Sequence, residues 1–271
     1  MIPLQMTSQP TSENHKMATP DWNNIDKFEE TFPEYNCAFL DILGYKQKAV
    51  GFFDQRFNLY GRINRAFEVA AISNLFTSLL VNSRDLKVEI FSDSIIMTQP
   101  RTKSGAGVLL PYACHFASTL SCEGLFVRGG IAKGRHCRKQ TDQGFEFLAS
   151  EALQKAYLLE HEKAVFPRVL IDHELVKEMP DEERALVLAD GTDYIVDFAH
   201  HLINREGKNS DYVLAEMTDI QSEMNEQKDQ AIVAKLQWLL DYYYWTISTN
   251  PKWNSQPFEK FRSPTRQFSR I

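Results

Sequence analysis

Two aspartates stand where carboxylates do chemistry. Asp41 closes the apolar run Phe39-Leu40-Asp41-Ile42-Leu43-Gly44-Tyr45, and Asp93 closes Lys87-Val88-Glu89-Ile90-Phe91-Ser92-Asp93-Ser94. A carboxylate at the end of a buried strand is costly unless something pairs with it. Two of them, on strands able to lie side by side, point to a divalent-metal site. A small set of hard oxygen ligands suits Mg²⁺ or Mn²⁺ held together with substrate phosphates. No histidine cluster competes for the role, because His200-His201 are sequence neighbours with no evident third ligand.

The elements that must position these residues follow from periodicity. Tyr35 to Ile42 reads as a buried strand. Leu59, Ile63, Phe67, Ala71, Leu75 and Leu79 recur every fourth residue, which predicts a long helix with one apolar face. Leu86 to Phe91 alternates as a strand, Ser92-Asp93-Ser94 is a tight polar turn, and Ile95-Ile96-Met97 begins the return strand. Leu109, Ala113, Phe116 and Leu120 give a second helix, after the loop Ser104-Gly105-Ala106-Gly107. Leu125 to Lys133 is a strand whose Gly129-Gly130 pair signals a bulge or a close backbone approach. Phe145 to Glu160 begins as strand and becomes helix, and Val165 to Ile171 and Tyr194 to Phe198 read as further strands. Asp229 to Ile247 is an aromatic-rich helix, and the tail from Ser248 reads as loose. The order β-α-β-β-α-β predicts an α+β, ferredoxin-like fold. Three regions are expected: a polar, flexible lead over 1–30, a main domain over 31–215, and a C-terminal helix and tail over 216–271.

The totals bound the function. A chain of 271 residues, 43% hydrophobic, can bury one large core. A formal charge of −6 argues against a nucleic-acid partner, whose footprint is usually basic. The four cysteines form no C-x-x-C pair and read as free thiols. Met1 to Pro20 has no apolar signal-peptide core, and the stretch Val108 to Ala117 is too short to span a bilayer. A soluble, cytoplasmic protein with no membrane partner is expected.

Four motifs together resemble the class III nucleotidyl cyclases, the adenylate and guanylate cyclase catalytic domains. They are Asp41-Ile42-Leu43-Gly44-Tyr45; Lys87-Val88-Glu89-x-x-Ser92-Asp93, where the family usually has Gly at the Ser92 position; Arg128-Gly129-Gly130-Ile131; and the segment Glu151 to Glu160. The resemblance runs from about Tyr35 to Asp172. It implies two Mn²⁺ or Mg²⁺ ions per active site, held by Asp41, Asp93 and the backbone carbonyl of Ile42. One would activate the ribose 3′-hydroxyl and the other would hold the departing pyrophosphate. It also implies a head-to-tail homodimer, with metals from one chain and base or phosphate contacts from the other.

Departures from the family pattern narrow the substrate. The helical Asn of the family falls at Gln154 and its transition-state Arg at Leu158, which cannot offset phosphate charge. Lys133, Arg135, Arg138, Lys139 and Lys155 are the cations near enough in sequence to replace it. Glu89 holds the base-selecting position, and its partner position is Phe147, an apolar ring that suits a smaller base. Tyr45 is a further candidate against the substrate, although core or dimer packing is the stronger expectation for it. Together with Gly129-Gly130 and Ala152-x-x-x-Ala156-Tyr157-x-x-Glu160, these departures resemble the bacterial pyrimidine cyclases of Pycsar anti-phage systems. The implied reaction converts UTP to cyclic UMP, with CTP the close alternative, as an alarm signal whose effector is not a direct partner. Guanylate cyclisation and a catalytically silent nucleotide sensor are the rival readings.

Overall fold

The computed structural model describes residues 31–72, 85–101, 103–199, 210–250 and 264–271. The flexible lead expected over 1–30, the positions of Leu75 and Leu79, and His200-His201 lie outside them. Phe32–Ile271 forms one compact unit, and residue 215 lies within the helix Ser210–Glu226.

The strand β1 (Glu34–Ile42) lies at the centre of the site-bearing half. It leads through Gly44, at φ 69°, into α1 (Tyr45–Phe53), a left-handed turn suited to glycine. α2 (Leu59–Ile72) follows, then the hairpin β2 (Lys87–Phe91) and β3 (Ser94–Pro100), α3 (Leu109–Cys122) and β4 (Val127–Gln140). β1 pairs antiparallel with β3 on one side and β4 on the other, and β2 pairs with β3. The order β2-β3-β1-β4 is that of the expected ferredoxin-like sheet. β4 is longer than expected, and its second half leaves this sheet to pair with β5 (Glu146–Ser150) as a projecting arm.

The sheet then continues beyond β4. β6 (Val169–Ile171) is parallel to β4, and β8 (Asp193–Val196), β7 (Val187–Asp190) and β9 (Ser269–Arg270) complete the order. The strand expected from Val165 is shorter at its start, because Pro167 has no N–H to give a ladder. Two short helices, α5 (His173–Lys177) and α6 (Asp181–Arg184), follow β6. α7 (Ser210–Glu226), which periodicity did not predict, packs against α8 (Gln230–Ser248), the aromatic helix.

The end of the tail is pinned. Phe268 is buried against Trp238 and Tyr242. Arg266 pairs with Asp190, and Arg270 with Asp197. The loose tail expected from Ser248 is therefore corrected over 264–271: fixed charges and an aromatic ring outweigh its Pro- and Ser-rich composition. All four cysteines are free thiols.

Alternation along β1 divides the labour of its two faces. Asn36, Ala38, Leu40 and Ile42 point into the core beneath α3, which is buried along nearly its whole length. Tyr35, Cys37, Phe39 and Asp41 point the other way. They meet His136, Ser150, Tyr157 and Arg128 in turn. This second face carries the site.

Candidate active site

A helix lying directly on a strand builds the floor. Gly130, Ala132 and Gly134 on β4 share one face, and α4 (Glu151–Leu158) rests on them. A Cβ added to Gly130 would sit 2.2 Å from the Ala156 carbonyl oxygen, and one on Gly134 would sit 2.8 Å from the Ala152 amide nitrogen. The Gly129-Gly130 pair therefore marks a close backbone approach rather than a bulge. Ser150 caps α4, accepting a hydrogen bond from the Leu153 amide, and the buried Ala152 and Ala156 keep the helix low. The helix ends in a π-turn, Leu159–Lys163, that carries Glu160 inward to the end of β1.

Asp41 sits at that end. Its Oδ2 accepts a hydrogen bond from Arg128 Nε at 3.0 Å. Glu160 Oε1 lies 2.6 Å from the same nitrogen. Asp93 occupies the two-residue turn between β2 and β3, where Ser92 adopts a φ of 58°. The Ile42 amide donates to the Asp93 carbonyl at 2.9 Å, which locks the turn to the end of β1. Burial raises the pKa of Asp41, Arg128 opposes that shift, and the charge of Asp93 adds to it. Burial likewise raises the Glu160 carboxyl.

Two carboxylates near each other and a strand-end carbonyl at Ile42 suit a hard divalent cation that keeps open positions for waters and phosphates. Glu160, the third carboxylate nearby, is turned to Arg128, and among the described residues no group of three or more His, Cys, Asp or Glu is arranged as a closed metal site would require. The donor set therefore fits Mg²⁺ or Mn²⁺ held jointly with a substrate.

Arg135 and Gln154 lie apart from Asp41. Asp41 faces Arg128 across the ladder, whereas Arg135 faces Glu34, seven residues back along β1. At about 3.3 Å per residue that is roughly 23 Å away. Arg135 and Gln154 line a cavity of about 550 Å³ beside Phe32, His136 and Ser150. Arg135 is paired with Glu151, and Lys133 with Glu178. Lys155 reaches the Lys133 carbonyl. Glu89, on β2, is held by Arg138 and by Lys87, so the β4–β5 arm is tied across to β2. Phe147 stands on that arm, opposite Lys139, and at 56% exposed it takes no part in the core. Tyr45 packs partly buried against the core at the start of α1.

Arg128 and Glu160 were not among the candidate site residues, although both stood inside the motifs. The signal was Arg128 opposite Asp41 once β1 and β4 pair. Phe91, two residues before Asp93, is 79% exposed, and Phe53 at the end of α1 is 80% exposed.

No protein-family model matches the chain, and no curated protein sequence matches it. Solved structures similar to it include an adenylyl cyclase of P. aeruginosa, at 13% identity and a TM-score of 0.36, covering 62% of this chain and 96% of that one. An adenylate cyclase from Trypanosoma brucei is similar at 12% identity and a TM-score of 0.39, covering 65% and 94%. The guanylate cyclase domain from Catenaria anguillulae, solved in complex with GTP, is similar at 11% identity and a TM-score of 0.35, covering 60% and 93%.

Proposed function

We propose that the protein is a divalent-metal-dependent nucleotide cyclase that converts UTP to 3′,5′-cyclic UMP and pyrophosphate. The observation that carries the reading is the meeting of Asp41, Asp93 and Arg128 at one end of the sheet. Asp41 and Asp93, with the Ile42 carbonyl, would hold the metals. Such metals supply a lowered pKa at the attacking hydroxyl and charge neutralisation at the leaving phosphates. Arg128 is the cation hydrogen-bonded to Asp41, so it takes the charge-offsetting role that Leu158 cannot fill. Both of its carboxylate contacts are made by Nε. Its Nη1 and Nη2 make no hydrogen bond to the described residues, which leaves a two-pronged donor for phosphate oxygens.

The separation of Arg135 and Gln154 from Asp41 supports a site shared by two chains in a head-to-tail dimer, and the exposed Phe91, Phe53 and Phe147 supply apolar surface for such a contact. The base preference rests on Glu89 and on the bulk of Phe147. CTP remains the second reading, because a carboxylate accepts equally from a cytosine amino group. A role as a cytoplasmic alarm signal against phage rests on the motif resemblance. No helix among the described residues is long and apolar enough to cross a membrane.

Incubation of the purified protein with Mn²⁺ and each of ATP, GTP, CTP and UTP, followed by product identification, tests the reaction. Cyclic UMP is expected, and no cyclic product from any triphosphate would remove the enzyme reading. Asp41→Ala and Asp93→Ala should each abolish turnover in a folded chain. Mixing an Asp93→Ala chain with an Arg135→Ala/Gln154→Ala chain should restore part of the activity if sites are shared. Failure to complement, with both chains folded, would argue for sites built within one chain.

A further inference from the structure

Arg128 Nε carries a single hydrogen, and two carboxylates claim it. Asp41 receives the hydrogen bond at 3.0 Å. Glu160 Oε1 is nearer, at 2.6 Å, yet lies off the N–H direction and accepts no hydrogen bond from any described residue. Glu160 is only 2% exposed. A buried carboxylate oxygen without a donor is unfavourable, and such atoms call for an explanation such as a second state that satisfies them. The π-turn Leu159–Lys163 places Glu160 there, and such turns recur at functional sites.

We propose that Glu160 is a positioning residue, the anion that receives Arg128 when a divalent metal takes Asp41. This rests on the metal-binding reading of Asp41 and Asp93. While Arg128 donates to Asp41, that carboxylate is already neutralised and is a poorer metal ligand. Glu160 lies within reach of the same N–H, so a small rotation of the guanidinium transfers the hydrogen bond from one carboxylate to the other. Asp41 is then released to the metal. Arg128 stays at the site with Nη1 and Nη2 still directed away from its anchor.

The test is a Mn²⁺ titration without nucleotide, with free Mn²⁺ followed by electron paramagnetic resonance. The chains compared are the parent, Glu160→Gln, Arg128→Met, the double variant and Asp93→Ala. Glu160→Gln should weaken Mn²⁺ binding about tenfold, the worth of one charge-assisted hydrogen bond. Arg128→Met should bind Mn²⁺ more tightly than the parent, because it removes the competitor for Asp41. In the Arg128→Met background, Glu160→Gln should change the affinity less than about twofold, the sign of two residues that act through one another. Equal weakening in both backgrounds would make Glu160 a plain charge near the metal and overturn the proposal. So would an unchanged Glu160→Gln affinity, or weaker Mn²⁺ binding by folded Arg128→Met, an arm that stands even if Glu160→Gln fails to fold. If the parent binds Mn²⁺ no better than Asp93→Ala, the metal reading falls and takes this proposal with it.

Discussion

Asp41 was legible because strand alternation and the motif around it place a carboxylate at the end of a buried run. Its partner was less so. Arg128 and Glu160 reach Asp41 only after β1 pairs with β4 and α4 is laid across them. The basic run from Lys133 to Lys139 drew attention in the sequence for the opposite reason. Nothing in a linear chain reveals that Glu178, Glu151 and Glu89 come to neutralise Lys133, Arg135 and Arg138. Arg128 is set apart by its anchored Nε and by terminal nitrogens that no described residue engages. Lysine offers one compact ammonium and cannot hold the anchor and a phosphate fork together. Arg128→Lys should therefore lower kcat/KM for the triphosphate about a hundredfold, in line with the loss of a preorganised charge contact. Steady-state kinetics with saturating Mn²⁺ measure it, and a change under threefold would place the role elsewhere.

At the scale of elements, the βαββαβ order was readable from periodicity, and the paired glycines did mark a close approach. The contact they serve was not readable, because it depends on which helix crosses the strand. Gly130→Ala would force its new methyl to within 2.2 Å of the Ala156 carbonyl oxygen, a backbone atom that cannot step aside cheaply. Overpacking of this kind costs about 1–3 kcal/mol. Because α4 carries the π-turn to Glu160, activity should fall along with stability. Urea unfolding and turnover of the same preparation give both values, and an unchanged midpoint would mean that α4 can lift off β4. The Ser92-Asp93 turn shows a different gap. Ser92 adopts a positive φ, and the sequence marked the tight turn while its polar residues concealed the backbone conformation it requires.

The whole molecule is held by buried charge as well as by its apolar core. Asp190 takes Arg168, Trp238 and Arg266, and Asp197 takes Tyr242 and Arg270. A composition rich in Pro, Ser and Arg concealed this closing of the tail, since its partners lie far back in the chain. Glu216 on α7 accepts from Ser121 at 2.6 Å and from Tyr243 at 3.0 Å, and burial pushes its carboxyl up to about 7. A carboxyl with a raised folded pKa keeps its proton more tightly when folded. Its contribution is therefore full below the ordinary glutamate value of 4.5 and is lost as pH rises through about 7. Glu216→Gln should melt close to the parent at pH 4.5 and above it at pH 8, as calorimetry across that range would show. One strand links these scales. β4 holds Arg128 near its start and Arg135 further along, so in a head-to-tail dimer it would run from one composite site towards the other. Occupancy of the first would bear on the geometry of the second, and the substrate saturation curve should depart from a hyperbola, with a Hill coefficient other than one.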